Sequence, residues 1–404
     1  MNHYVASLMA LFLFPGILYV ISHIDITGDF EGIYVFRSDR GGIFDIKDDI
    51  FLGDEGRLLC KLEFEPVWQF LGVREVIATD SNFLTVKWHR KEGRGYVIDT
   101  YPDGRKLLLT FSRFRAENGI IPSGLFLGGE LPFNSGESGE ENLNKTGMAF
   151  YDGERWQHIW CTVNEAIASA ANTADVKQLC EWKYLGSSVI RNSSKEIVLR
   201  SSHAAVIDGT PLRIEKTVIF RAGEEHFTLV TRVVNVGRGE VRYRYAYGDE
   251  PWVGDYGSSA GDVGWVEGRL IRHEELLNTG RCSFAGVFDF GNDLAGEKHE
   301  FTRAANFVQW LGENRPSIAY ISNVPGRFSR IPGTVPLTSR SRFIGLEWGP
   351  RLLGPGRSDT FVLAIGMARK DPINDMPVKP SVDFDMDCYA FLSEHQMMAV
   401  TASQ

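Results

Sequence analysis

The sequence predicts an all-β, antiparallel body behind an apolar N-terminal segment. Three observations carry this. Between residues 182 and 247, apolar and polar residues alternate with the period of strands that bury one face. Turn signals such as Pro102-Asp103-Gly104 and Ala222-Gly223-Glu224 cut the chain at short intervals. No alternation of strands with helices is visible, which disfavours Rossmann and TIM architectures.

Composition sets the outer limits. A chain of 404 residues is long enough for one large domain or two ordinary ones. The charged fraction of 24% and hydrophobic fraction of 43% belong to a globular protein, not a disordered one. A net charge of −9 argues against nucleic acid as a partner. The five cysteines (Cys60, Cys161, Cys180, Cys282 and Cys388) form no C-x-x-C or zinc-ligand spacing, so isolated buried thiols are expected. A disulfide between Cys161 and Cys180 stays open as an alternative.

Residues 1–24 form the first segment. Tyr4 to Ser22 is a 19-residue run without a charge. As a helix it would measure roughly 28 Å, about the thickness of a bilayer core. It lacks the basic start and small-residue cleavage site of a signal peptide, so a retained transmembrane anchor is favoured over a cleaved signal helix. The expected location is a body outside the cytoplasm, membrane-tethered or secreted, with the membrane contacted through this helix. Residues 25–115 read as a β-meander, with strands at 32–36, 58–64, 73–78, 83–88, 96–101 and 106–111. Residues 116–146 are polar and Gly-rich and read as a long binding loop or boundary. The body follows over 147–370. Within it, Asn164 to Leu179 is the best helical candidate, because it is Ala-rich and Asn164 suits a cap. Residues 371–404 read as a surface tail with a short helix at Cys388 to Met398.

The clearest strands lie late in the body. Leu212, Ile214, Val218 and Phe220 share one face, and Val241, Tyr243, Tyr245 and Tyr247 share another. The run RIEKTVIFRAGEEHFTLVTRVVNVGRGEVRYRYAYGDEP contains a strand, a turn at Ala222-Gly223, a strand ending in Asn235-Val236-Gly237, and a third strand. It resembles the galactose-mutarotase-like superfamily. Gly349 to Ala368 is similar to that superfamily's closing strand pair, with its turn at Leu353-Gly354-Pro355-Gly356. The resemblance implies an antiparallel β-supersandwich with a concave carbohydrate-binding face. The superfamily includes epimerases, lyases and domains of glycoside enzymes, so fold alone does not fix function. The epimerases' N-H-x-x-F-N-L segment has no counterpart here: His203 lies in Ser202-His203-Ala204-Ala205. No catalytic residue is carried over.

Two constellations point to sugar chemistry. The first is the loop after the Tyr-rich strand, with Asp249, Glu250, Trp252, Asp255 and Tyr256. Two carboxylates about 5 to 9.5 Å apart serve glycoside hydrolysis, and a carboxyl beside an indole acquires the raised pKa of a general acid. The second is Trp156, His158, Trp160, Asn164 and Glu165. On a strand, Trp156, His158 and Trp160 share one face, giving a proton carrier over an aromatic floor. The expected catalytic residues are Asp249, Glu250, Asp255, His158 and Glu165. The expected sugar contacts are Trp156, Trp252, Tyr256, Trp265 and Asn164. Asp289 to Asp293, with Asn306 and Trp310, is a third rim loop or a plain polar turn. Gly257 to Gly261 fits G-x-S-x-G, but no helix follows it, so a nucleophile elbow is excluded. No metal or cofactor is expected, except that Ca²⁺ held by Asp249, Asp255 or Asp262 with main-chain carbonyls is an alternative.

The expected function is a carbohydrate-active protein, as a glycoside hydrolase or lyase-like enzyme. The alternatives are a non-catalytic glycan-binding protein and an envelope-assembly protein.

Overall fold

A computed structural model gives the fold. It describes short strands between residues 5 and 60, then residues 83–89, 94–112, 126–127, 148–154, 156–160, 162–171, 183–251, 253, 262–289, 304–324, 326, 328–337, 342–371, 373 and 376–383. The chain divides into two units, Met1–Ala78 and Thr79–Gln404.

In the first unit three antiparallel pairs form: β1 (Val5–Ala6) with β2 (Ile24–Asp25), β3 (Tyr34–Arg37) with β4 (Ile43–Ile46), and β5 (Ile50–Leu52) with β6 (Leu58–Cys60). Most of the apolar run, residues 7–23, lies outside the described residues, as does the strand expected at 73–78. Among the described residues no helix is long and apolar enough to cross a membrane.

The second unit is built from antiparallel sheets, with no helix among the described residues. Its strands are β7 (Phe83–His89), β8 (Arg94–Thr100), β9 (Lys106–Ser112), β10 (Phe126–Leu127), β11 (Met148–Tyr151), β12 (Trp156–Trp160), β13 (Thr162–Ser169), β14 (Lys183–Asn192), β15 (Glu196–Ile207), β16 (Thr210–Arg221), β17 (His226–Asn235), β18 (Val241–Glu250), β19 (Asp262–Val266), β20 (Arg269–Ile271), β21 (Glu275–Leu277), β22 (Phe284–Asp289), β23 (Ala304–Leu311), β24 (Ile318–Ser322), β25 (Phe343–Leu353), β26 (Ser358–Lys370) and β27 (Pro377–Val378). The largest sheet runs β14-β15-β16-β17-β26-β23-β22-β19-β20, with β27 on β26. A second runs β13-β18-β25-β24-β21, and a third runs β12-β11-β9-β8-β7 with β10 on β9.

The alternation read from the sequence places the core. Tyr243, Tyr245 and Tyr247 on β18 are fully buried against the large sheet. The Tyr245 ring stacks on Phe361 of β26 at 4.7 Å and on Trp348 of β25 at 5.3 Å. One core cluster joins Leu212, Ile214, Val218 and Phe220 of the large sheet to the β18 tyrosines and to Leu84, Val97 and Leu109 of the third sheet. Burying such residues contributes about 1.5–3 kcal/mol each.

The turn motifs tie the sheets together. Gly223 adopts a φ of 84°, which a side chain would resist, and its N–H reaches Asp99 of β8 at 2.7 Å. Asn235 links both motif turns: its Nδ2 donates to the carbonyls of Gly239 and Leu353, each at 2.8 Å, and its Oδ1 accepts from Gly237 N–H at 2.9 Å.

Two expectations are corrected. The helix predicted from Asn164 is strand β13 as far as Ser169; it pairs residue by residue with β18, and that ladder overrides the helical preference of its alanines. The boundary placed between the meander and the body runs through one sheet, because β9 pairs with β11. Of residues 116–146, only Phe126–Leu127 are described, as β10. The helix expected at 388–398 lies outside the described residues.

Candidate functional site at the strand ends

The end of one constellation and the start of the other are paired in the backbone. β13 and β18 are antiparallel, with Thr162 opposite Glu250 and Val163 opposite Asp249. On its other side Asp249 faces Ile344 at the start of β25. Trp156 and His158 belong to β12, which ends at Trp160, two residues before β13 begins. The side chains of Trp156, His158, Asn164, Asp249 and Glu250 lie outside the described residues, as do Trp252, Asp255 and Tyr256 altogether.

A buried cluster of ionisable groups lies at the start of β19 and the end of β22. Asp262 opens β19 and lies directly opposite Asp289, the last residue of β22. Directly paired residues put their side chains on the same face of a sheet. That face is the inner one, because Val266 and Val287 on the same alternation belong to the inter-sheet core, while Val263, Trp265 and Phe288 form a separate cluster on the other side. Asp262 and Asp289 are 1% and 4% exposed. Arg342, also buried, precedes β25 and donates Nε to the main-chain carbonyl of Asp262 at 2.8 Å.

The electrostatics follow from this enclosure. Burial pushes the Asp262 carboxyl well above the usual carboxylate range, and the neighbouring Asp289 adds to it; Arg342 and the Val253 main-chain N–H oppose the rise. Burial lowers the Arg342 guanidinium to about 10, against the pull of Asp262.

Two predicted site residues sit elsewhere. Glu165 does not face a cleft. Its position on β13, opposite the inward Tyr247, turns it into the core, where it pairs with Lys216 of β16. Tyr245 Oη donates to its other oxygen at 2.6 Å. Trp265 is no sugar platform: it is 2% exposed, donates Nε1 to the Asn306 carbonyl at 2.9 Å, and packs edge-on against Phe284. Both were misplaced because strand parity, not residue type, decides which face a side chain takes. Asp289 and Asn306 of the third constellation are both buried, and Phe290 to Asp293 lie outside the described residues. Among the described residues no three His, Cys, Asp or Glu side chains gather to hold a metal. Cys282 is a free thiol, and Cys161 and Cys180 lie outside the described residues.

Lys216 and Arg342 were not singled out from the sequence. Their contacts, Lys216 with Glu165 and Arg342 with the Asp262 carbonyl, join segments 51 and 80 residues apart, beyond the reach of local pattern.

No protein-family model matches the chain, and no curated protein matches it. Solved structures do. A candidate aldose 1-epimerase from Klebsiella pneumoniae is similar at 11% identity and a TM-score of 0.38, covering 74% of this chain and 86% of that one. A galactose mutarotase-like protein from Clostridium acetobutylicum is similar at 8% identity and a TM-score of 0.37, covering 72% and 99%. A heparan sulfate lyase from Pedobacter heparinus is similar at 9% identity and a TM-score of 0.29, covering 76% of this chain and 37% of that one. The first two carry names from the superfamily that the strand-and-turn run resembles.

Proposed function

We propose that this chain is a carbohydrate-active protein whose glycan site lies where β18 ends and β13 begins. One observation carries the proposal. The register of β13 on β18 sets Thr162, Val163 and Asn164, where the Trp156–Asn164 segment ends, opposite Glu250, Asp249 and Gly248, where the Asp249–Tyr256 loop begins. Both segments hold the residue types that recognise sugars: indole and phenol rings for stacking, and carboxylates and an imidazole for hydroxyl groups.

The chemistry divides by depth. Asp262 and Asp289 are enclosed and meet no substrate directly. Asp249, Glu250 and Asp255 are the carboxyl groups that would serve as acid and as base or nucleophile. Trp252 and Tyr256 would stack on the sugar, with His158 as proton carrier and Trp156 and Asn164 completing the floor. Glu165 and Trp265 are excluded from the set by their core positions. Hydrolysis or lyase-type cleavage is the reaction class.

The proposed setting is a body outside the cytoplasm, tethered through Tyr4 to Ser22. Its support is the uncharged length of that run. Recovery of the full chain in the soluble fraction of its native cell would remove the tether.

The test of function is a glycan array and cleavage screen on the full chain. Wild type is expected to retain a glycan, and Trp252→Ala to lose up to about tenfold in affinity, since aromatic stacking is worth on the order of 0.5–1.5 kcal/mol. Retention without cleavage would identify a binding protein. Equal binding by wild type and Trp252→Ala would end the proposal for this loop.

A further inference from the structure

We propose, resting on the glycan site above, that Phe328 forms a second wall of that site and stacks on the C–H face of a bound pyranose. The ring reaches the site on a different loop from the one that carries Trp252.

The sheet register brings the two loops together. Ile321 of β24 lies opposite Ile344 of β25, and Ile344 lies opposite Asp249 of β18. β18 and β24 flank β25, both antiparallel to it, so they run the same way. The chain therefore leaves β18 after Glu250 and β24 after Ser322 at the same end of the sheet. Two strand spacings, roughly 10 Å, separate these exits. A sugar ring held between two flat groups needs about 3.5–4 Å to each of them. The exits are thus spaced for side chains of both loops to touch one sugar.

The outer face of the sheet supports the ring. Ala319, Ile321, Ile344 and Leu346 belong to the inter-sheet core, so the alternate residues Tyr320 and Gly345 take the outer face. A Cβ at Gly345 would lie 2.0 Å from Tyr320 Cζ, so the Tyr320 ring rests across the space that glycine leaves. Its Oη accepts the Gly326 N–H at 2.7 Å. Phe328 stacks on Tyr320 with centroids 4.8 Å apart and planes 25° from parallel. Tyr320 is buried, whereas Phe328 is half-buried.

The loop is held in place from its base. Buried Glu274 accepts the main-chain N–H and the Nδ2 of Asn323 through Oε1, each at 3.1 Å, and the Ser329 N–H through Oε2 at 3.0 Å. These bonds fix the chain on both sides of Phe328. A ring placed in advance loses little freedom on binding, which favours affinity. A phenyl ring offers only apolar surface, so it selects a sugar by its C–H face and not by its hydroxyl groups.

The test titrates the oligosaccharide that the glycan array retains most tightly into the full chain, followed by calorimetry. Phe328→Leu keeps the bulk and removes the flat face, and should weaken binding about three- to tenfold. Phe328→Tyr keeps the ring and should bind as wild type, as should Ile373→Ala, at a solvent-exposed position. Wild-type affinity in Phe328→Leu would overturn the proposal, while Trp252→Ala reports separately on the site itself. An equal loss in Phe328→Tyr would also overturn it, because the residue would then act through packing alone. Retention of no glycan by wild type would end the site and this wall together. Thermal unfolding checks each variant. If Phe328→Leu does not fold, Glu274→Gln, which sets an amide against the loop's N–H groups, takes its place with the same expected loss.

Discussion

Glu165 and Lys216 meet across the sandwich, one from β13 and the other from β16, with both side chains almost fully enclosed. Tyr245 donates to the free oxygen of Glu165 at 2.6 Å and lies 3.2 Å from Thr231 Oγ1, so the pair sits inside a small polar network. Burial lowers the Lys216 pKa, and Glu165 opposes that fall. Removing one partner leaves the other buried without its opposite charge, so Lys216→Met or Glu165→Leu should each cost about 3–5 kcal/mol. The double variant should recover most of that loss, because a matched apolar pair avoids the desolvation penalty. Equilibrium unfolding in denaturant measures both. Additive losses in the double variant would show that the two groups are not coupled.

The sequence made the sheet legible and the site only in part. Val241, Tyr243, Tyr245 and Tyr247 alternate cleanly, and all four are buried, so the period alone was enough to orient β18. The same principle places Glu165 inward, yet its parity could be read only once its pairing with Tyr247 was known. An Ala-rich context suggested a helix there, and a helix would have carried Glu165 elsewhere. Asp262 and Asp289 are 27 residues apart and their pairing depends on the register of β19 on β22, which nothing local in the chain encodes. The motif turns were legible because Asn235 and Gly223 act through their own backbone neighbourhood.

Asn235 joins two turns that are 118 residues apart. Asn235→Ala would leave the carbonyls of Gly239 and Leu353 and the Gly237 N–H without this partner. It should destabilise the unit by about 2–4 kcal/mol, since each unsatisfied buried group costs about 1–3 kcal/mol. Asn235→Asp removes both donated bonds and sets a carboxylate against two carbonyls, so it should be at least as damaging. Thermal unfolding of the two variants beside wild type tests this, and a loss within error would mean the turns hold without the link.

Acid should destabilise the fold through two histidines. Burial, with Lys216 nearby, lowers His203 to about 3; burial, with Lys379 and Arg221, lowers His226 to about 4, and Asp383 partly opposes it. Both are neutral when folded, whereas an unfolded histidine takes a proton near 6.5. The unfolded state therefore binds more protons between the folded values and 6.5, and stability falls as pH drops through that window, by up to about 1.4 kcal/mol per unit for each histidine. Asp262 acts in the opposite sense: its raised pKa contributes stability at low pH that is lost as pH rises through the folded value. His226→Phe should flatten the profile between pH 4.5 and 6.5, and Asp262→Asn should gain on wild type towards neutral pH. An unchanged slope in His226→Phe would remove that histidine from the account.

Gly286 and Trp265 occupy one space, and this explains the core position of the indole. A Cβ at Gly286 would lie 2.2 Å from Trp265 Nε1 and 2.3 Å from the Asn306 carbonyl, the two atoms joined by the indole hydrogen bond. Contacts that short do not occur, so the ring would have to leave its acceptor. Gly286→Ala should therefore cost about 3 kcal/mol or more, combining overpacking with a broken buried bond. Trp265 fluorescence should shift to the red as the indole leaves its dry site, while Gly268→Ala, in an open turn with positive φ, should lower stability without moving the emission. An unshifted spectrum in a folded Gly286→Ala protein would mean that the strand, not the ring, gives way.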